Sequence, residues 1–508
     1  ASFDISPSDS SPCKDHGTPV GGSVAARAVS GYEDAVGTAP GAKLFSLEAG
    51  CGEIDGQGVT YFDQLEAFEI IFEYNATIDI VNTSLGSSAR TNELFNRFVS
   101  QLDDLNITLV GSAGNNGDEG ERSIYAGYGN TVWGISVAAS TYSDKKAQFS
   151  SFGPGYGFNQ KPDVIAPGVD VLAVQTMGAS QGQGMVYIDG TSFASPTTAG
   201  ALATLLSALR EKGYETNPGL LKAALMRGAS PITNNFNTEG FGLPNIQDSM
   251  NLVDNLEVAG DGVPRIVEIT PKVGPVGLIN YIPQNAVTDI VYTLISSHPM
   301  DTNFTFGGGL EGIATVEPLV NDYSQYMKIK VDTNGKTENS VISGTITAIN
   351  GKDNVTASLT IKVGEAFKGK IAFDRFHTFW DFTMGNVMDG TNTGEVINLA
   401  MKKGWQVVEI NEKITSELLE NYDLLWMPDT LNAITRGDQY VELEAGIFQW
   451  EHFIKQSEID AIHDFVDSGK DLMFVFNGVL GTNGLPNVNA TAVNKLLNHF
   501  DINAVSKP

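Results

Sequence analysis

The chain has 508 residues, a formal net charge of −29 and only two cysteines, with 42% hydrophobic and 18% charged residues. That length fits roughly two to four domains, and the acidity argues against nucleic acid or an anionic membrane surface as partner. No stretch reaches the ~20 apolar residues of a spanning helix, so any membrane anchor is expected outside this sequence.

In chain order, residues 1–15 (ASFDISPSDSSPCKD) hold no apolar run able to form a buried parallel strand. A strand is expected over Lys43–Leu47. The segment Gly190-Thr191-Ser192-Phe193-Ala194-Ser195-Pro196 is a turn of mostly small residues, followed by Leu202, Leu205, Leu206 and Leu209 at helical spacing. One serine hydroxyl is thereby delivered near a helix N-terminus, where unpaired backbone N–H groups and the helix dipole favour developing negative charge. Pro196 is expected in the first turn, which has no N–H partner to lose.

Beyond about residue 255 the texture changes. Val355, Ala357, Leu359, Ile361 and Val363 alternate with Thr356, Ser358, Thr360 and Lys362, and Tyr326–Val331 and Gly344–Ile349 behave alike. This period of two predicts a β-sandwich over residues 256–366, of the fibronectin-like kind. From about Lys368 strands alternate with helices: strand Ile371–Asp374, helix Glu395–Lys403, strands Trp405–Ile410 and Tyr422–Met427, helix Ser457–Ser468 and strand Asp471–Phe476. That pattern predicts a small doubly wound α/β domain over 367–508, similar to flavodoxin-like or glutamine-amidotransferase-like folds. It holds no cysteine for amidotransferase chemistry and no Gly-rich phosphate loop. His377, Trp380 and Asp381 read as aromatic core packing rather than a cleft lining.

Within residues 1–255 a series of motifs occurs in one order. Gly190–Gly200 resembles the GTSMASPxxAG nucleophile motif of the subtilisin-like serine proteases (subtilases). Asp15–Ala26 resembles HGTHVAGxxAA, which carries the general base, and Gly37–Leu44 resembles the GVAPxAxL turn and strand after it. Ile80–Gly86 is similar to the INMSLG strand of the substrate cleft. Ser112–Gly117 is similar to AAGNxG, whose asparagine donates to the oxyanion. Phe149–Pro154 and Lys161–Gly168 resemble FSSxGP and KPDVxAPG. The resemblance implies a subtilisin-like α/β domain with a parallel sheet, Ser192 as nucleophile, His16 as base and Asn115 in the oxyanion hole, joined by the Ser192 N–H. It further implies a peptide substrate lying along Ser84, Leu85 and Gly86, with Ser112, Ala113 and Gly114 opposite. More weakly, Gly369–His377 resembles the region after the protease domain in site-1-protease-like subtilases.

The chemistry stands independently of that resemblance. A serine hydroxyl becomes a good nucleophile once a base takes its proton. Histidine suits that task because its unperturbed pKa of ~6.5 lies near working pH. An amide aimed at the carbonyl oxygen stabilises the tetrahedral intermediate.

One expected member is absent. In subtilases the orienting aspartate comes first, on a strand ending Asp-Ser/Thr-Gly. No such triplet precedes His16; Asp4, Asp9 and Asp15 are candidates only in name. The chain begins with Ala, as a processed product would. The expectation is that the aspartate strand belongs to a separate, cleaved N-terminal fragment; the alternative is a catalytically impaired scaffold acting as a surface assembly or interaction protein.

A secreted or cell-surface location is expected, from the acidity and from sequons at Asn75, Asn106, Asn303, Asn354 and Asn489. Asn82 also matches but falls in the cleft strand. Cys13 and Cys51 leave three pairings open: a bridge between them, two free thiols, or a bridge to a missing fragment. The chemistry requires no cofactor. Structural calcium is an expectation of the resemblance alone, since no Asp-x-Asp-x-Asp-Gly loop occurs.

Overall fold

In the computed structural model, residues 2–4, 16–28, 32–48, 61–86, 93–121, 123–124, 127–155, 159–177, 182–272, 281–374, 393–410, 412–428, 454–475 and 498–500 are described. Asp9, Cys13, Asp15, Cys51, His377, Trp380, Asp381 and Asn489 lie outside the described residues. The chain divides into two compact units: residues 1–276, 290–329 and 344–359 form one, and 277–289, 330–343 and 360–508 the other.

The first unit is built on a parallel sheet. Its strands β3 (Ile80–Thr83), β4 (Thr108–Ser112), β5 (Ile135–Ser140) and β6 (Val164–Pro167) are hydrogen-bonded in that order. All five residues of β4 and all six of β5 are buried, as befits parallel strands covered on both faces. The helices α1 (Gly17–Ala25), α2 (Tyr61–Glu73), α3 (Glu93–Asp104), α4 (Thr191–Glu211), α5 (Pro218–Arg227) and α6 (Ile246–Val253) belong to this unit. Leu202, Leu205, Leu206 and Leu209 of α4 are at most 5% exposed and pack with Val110, Ile135 and Val137 of the sheet. The spacing of four leucines thus does in the fold what it announces in the sequence.

Two shorter strands stand apart from this sheet. β1 (Ser2–Asp4) pairs in parallel with β2 (Ser46–Glu48), placing Ser2 opposite Ser46 and Asp4 opposite Glu48. The composition of residues 1–15 predicts no buried parallel strand, and the strand found there is a parallel one of only three residues. A three-residue strand draws its backbone hydrogen bonds from its partner and needs no apolar run of its own. The ribbon β1–β2 is a two-stranded sheet separate from β3–β6. An antiparallel hairpin, β7 (Val171–Met177) with β8 (Gly182–Ile188), leads into α4.

The segment after α6 is rich in strands, as its period of two requires. One sheet has the order β13 (Ala314–Val316), β14 (Ser324–Asp332), β11 (Val287–Ser296), β9 (Val267–Thr270). Another has the order β10 (Tyr281–Gln284), β16 (Asp353–Ala366), β15 (Val341–Asn350), β12 (Asn303–Gly308). Along β16, Val355, Ala357, Leu359, Ile361 and Val363 are all buried, and Thr356, Thr360 and Lys362 are exposed.

In the second unit a parallel sheet has the order β18 (Trp405–Ile410), β17 (Gly369–Asp374), β19 (Leu424–Pro428), β20 (Asp471–Val475). Helix α7 (Thr393–Lys402) connects β17 to β18, and α8 (Gln456–Asp467) precedes β20. Ile462 and Phe465 of α8 are buried in a cluster with Ala372, Leu425 and Met427 from the strands. The strands and helices expected there form within one or two residues of their expected ends.

Candidate active site

Helix α4 starts one residue before the candidate nucleophile. Gly190 is its N-cap with φ 150°, a conformation that L side chains rarely adopt. The Gly190 N–H donates to Gly168 O at 2.8 Å, so the end of the Lys161–Gly168 motif fixes where the helix begins. Ser192 is therefore the second helical residue and partly exposed. Backbone N–H groups of the first turn have no intrahelical acceptor, which leaves the Ser192 N–H available to an oxyanion.

The helix start also corrects one expectation. Pro196 is the sixth residue of α4, in its interior rather than its first turn. A proline there removes the N–H that would bond to the carbonyl four residues back, that of Ser192. The Ser84 hydroxyl takes the vacated place, donating to Ser192 O at 2.8 Å. Asn82 supports this contact: its Nδ2 donates to Ser84 Oγ at 3.2 Å, and its Oδ1 accepts from Ser195 Oγ at 2.7 Å. Asn82 is thus engaged through both atoms of its amide and is only partly exposed. Asn106, Asn303 and Asn354 are exposed.

Asn115 reaches the same helix from the end of β4. Its Oδ1 accepts from the Thr191 N–H at 3.0 Å and from the Thr191 hydroxyl at 2.8 Å. The amide is thereby held by its oxygen, and its Nδ2 makes no hydrogen bond among the described residues. Thr191 Oγ1 also accepts from Gly114 N at 3.3 Å. The turn itself is shaped by the Phe149–Pro154 motif. Ser151 Oγ accepts from Asn116 N at 3.0 Å, Gly117 N donates to Phe149 O at 2.8 Å, and a Cβ on Gly114 (φ 110°) would stand 2.9 Å from Ser151 Oγ.

His16 is the N-cap of α1 and retains an exposed face. Its ring meets that of Phe193 at 5.8 Å between centroids, tilted by 55°. Partial burial disfavours the imidazolium and holds the pKa below 6.5. Among the described residues neither the His16 ring nor the Ser192 hydroxyl makes a side-chain hydrogen bond. The Gly37–Leu44 motif closes α1: Thr38 N and Ala39 N donate to Ser23 O and Val24 O, and Thr38 Oγ1 donates to Thr197 O of α4 at 2.9 Å. Histidine and serine helices are joined through that turn.

The two expected substrate walls differ. Ser84 and Leu85 are partly buried and Gly86 is exposed at the end of β3. Opposite them Ser112 and Ala113 are only 5% and 1% exposed, so what this wall can offer a substrate is backbone. The Leu85 and Ser112 carbonyls both face Gly127, where a Cβ would stand 3.6 and 3.7 Å from them. Sequence reasoning missed the parts of Thr191, Phe193 and the Ser84 contact with Ser192, although all three residues lie inside the motifs. Among the described residues there is no group of three or more His, Cys, Asp or Glu side chains that could hold a metal ion.

A serine at a helix N-terminus, an amide anchored beside it and a histidine on the adjoining helix define a serine-hydrolase type of site on a parallel α/β sheet. The Subtilase (peptidase S8) family model matches residues 2–248. An intracellular serine protease of Paenibacillus polymyxa is 31% identical over 254 residues, covering 48% of this chain and 71% of that protein. The serine protease AprX of Bacillus subtilis is 29% identical over 238 residues, covering 42% of this chain and 52% of that protein, so the chain spans about half of its length. A solved structure, that of the prenylagaramide maturation protease PagA, aligns at 23% identity and a TM-score of 0.40 over 49% of this chain and 84% of that one. The chain belongs to the subtilase family of serine proteases.

Proposed function

We propose that this chain is an endopeptidase that hydrolyses protein substrates through an acyl-enzyme on Ser192. His16 takes the Ser192 proton as the oxygen attacks the scissile carbonyl. The oxyanion forms against Asn115 Nδ2 and the Ser192 N–H. His16 then returns the proton to the leaving amine, and water releases the acyl group by the same route. The observation that carries this reading is the pair of hydrogen bonds from Thr191 to Asn115 Oδ1, which leaves the amide N–H₂ as the side chain's free donor beside a helix-borne serine.

The orienting aspartate is assigned to a strand contributed by a separate N-terminal fragment. In support, among the described residues β2 pairs only with β1 and β3 only with β4, so the ribbon and the main sheet each end in an unpaired strand edge. Leu44, just before β2, is 47% exposed, as an apolar residue would be when its cover is missing. The same break favours the second reading, a scaffold with impaired catalysis. Exposed sequons at Asn106, Asn303 and Asn354 support secretion. The sheets from β9 to β16 support a β-sandwich acting as a spacer. The order β18-β17-β19-β20, which is 2-1-3-4 in chain order, supports a flavodoxin-like terminal domain.

Labelling of natively purified protein by a fluorophosphonate, beside Ser192→Ala, tests the proposal, with mass spectrometry of every co-purifying chain. Labelling lost in Ser192→Ala, together with a fragment bearing an Asp-Ser/Thr-Gly strand, is the expected result. No labelling and no such fragment would favour the scaffold.

A further inference from the structure

Phe193 stands out in its own motif: the residues on either side of it, from Gly190 to Pro196, are all compact, and it alone carries a large ring. That ring is 7% exposed. One side of it lies against the helix N-cap, where a Cβ on Gly190 would stand 3.4 Å from Cε2 and 3.5 Å from Cδ2. Another meets the imidazole of His16. Its backbone is fixed at both ends, with N donating to Gly190 O at 3.1 Å and O accepting from Thr197 Oγ1 at 2.9 Å.

His16 has no comparable anchorage. It caps α1 without a side-chain capping bond, it makes no side-chain hydrogen bond among the described residues, and it has an exposed face. Its contact with Phe193 is the ring contact that the described residues give it.

We infer that Phe193 is the positioning residue for His16: its ring, wedged between the N-cap of α4 and the imidazole, seats the base beside the nucleophile. This rests on the reading of His16 and Ser192 as base and nucleophile. Phe193 is joined to Ser192 by one peptide bond, so the ring that supports the base moves with the serine. Partial burial, to which this packing contributes, lowers the imidazole pKa and so favours the neutral form, which can accept a proton. Among the described residues, the elements around the ring carry few charges. Helix α1 and strand β7 carry no titratable side chain, β8 carries Tyr187, and the charges of α4, Arg210 and Glu211, sit in its last turn. Asp189 precedes the N-cap, and its Oδ1 accepts from Asp170 N at 2.7 Å.

The test combines NMR titration of His16 in the full chain with the pH profile of kcat/KM for Phe193→Ala, the milder Phe193→Leu and the conservative Phe193→Tyr. His16→Gln assigns the resonance among the six histidines. In Phe193→Ala the His16 midpoint should rise toward 6.5 and the acid limb of the profile should move with it. The kcat should fall roughly tenfold to hundredfold at near-constant KM, as for a base slightly out of place. Phe193→Leu should shift the midpoint in the same direction by less, and it serves if Phe193→Ala does not fold. Phe193→Tyr should keep both midpoint and rate. A midpoint unmoved in both truncations would overturn the assignment, even if kcat fell. A midpoint that moves in a chain whose parent never labels with fluorophosphonate would uphold the contact and sink the peptidase reading.

Discussion

The Ser84 hydroxyl donates to the backbone carbonyl of Ser192 at 2.8 Å, filling the acceptor site that Pro196 leaves open inside helix α4. A residue at the end of β3 thus substitutes for one rung of the helix at the position of the nucleophile. Ser84→Ala should cost about 1–3 kcal/mol, because a part-buried carbonyl is left without a donor. It should also lower kcat more than it raises KM. Pro196→Ala supplies the missing N–H, so Ser84→Ala should cost less in that background. A double-mutant cycle of melting temperatures measures the coupling, and strictly additive losses would show that the two groups do not serve the same carbonyl.

Thr191 holds Asn115 by its oxygen through two donors. Asn115→Ala should reduce kcat by about 10²–10³ with little change in KM, as expected for loss of one oxyanion donor. Thr191→Val removes only the hydroxyl and should give a smaller loss of the same kind. Thr191→Ser keeps the hydroxyl and should stay close to the parent. Steady-state kinetics on a peptide anilide would separate the three. Equal losses for Val and Ser would mean that the hydroxyl does not orient the amide.

The nucleophile helix was legible because two independent signals agree there, a small-residue turn and four leucines at helical spacing. The period of two along β16 was legible for a similar reason, since one buried face imposes strict alternation. The interior place of Pro196 was not, because sequence gives a helix boundary only to within a few residues, and its compensation by Ser84 is a contact across more than a hundred positions. The strand Ser2–Asp4 gives no sequence signal because three residues are too few to show a periodicity and its hydrogen bonds come from Ser46–Glu48. The expected substrate walls are segments read from motifs, whereas the burial of Ser112 and Ala113 follows from the sheet on which they end. A periodicity argument cannot supply that.

Two buried ionisable groups of the first unit give opposite pH signatures. Burial is the largest cause in both: it pushes Asp103 up from 3.8 to about 7 and Lys222 down from 10.5 to about 7. Lys222 Nζ donates to Val132 O at 2.6 Å and to Gly134 O at 2.9 Å, and Lys161 shares the latter carbonyl while pairing with Asp163. Between about pH 4 and 7 the folded state holds more protons at Asp103 than the unfolded chain, so this group's contribution to stability is lost as pH rises. Between about 7 and 10.5 the unfolded chain holds more protons at Lys222, so its contribution returns as pH rises. Melting temperatures of Asp103→Asn should lose the descending limb, and those of Lys222→Met the ascending one. Parallel curves for parent and variants across pH 4–10 would contradict both assignments.

Arg227, the last residue of α5, meets Asp353 at the start of β16 with Nη1 2.5 Å from Oδ2, their side chains being 18% and 7% exposed. The same guanidinium nitrogen donates to Val267 O at 3.1 Å, and the same carboxylate oxygen accepts from Val267 N at 2.9 Å. One ion pair therefore satisfies both backbone groups of the first residue of β9. Asp353→Ala would strand a largely buried cation and orphan the Val267 N–H, and should cost about 3–5 kcal/mol. Arg227→Met should also destabilise, by stranding the carboxylate. The double variant Arg227→Met/Asp353→Leu removes both charges and should be less damaged than the sum of the two single changes. Thermal unfolding of the four proteins measures this. Fluorophosphonate labelling of Ser192 well below the melting temperature should be unchanged in all of them, because neither side chain touches the residues around the nucleophile. Additive costs would mean that the pair contributes through packing, and lost labelling at low temperature would tie this junction to the shape of the site.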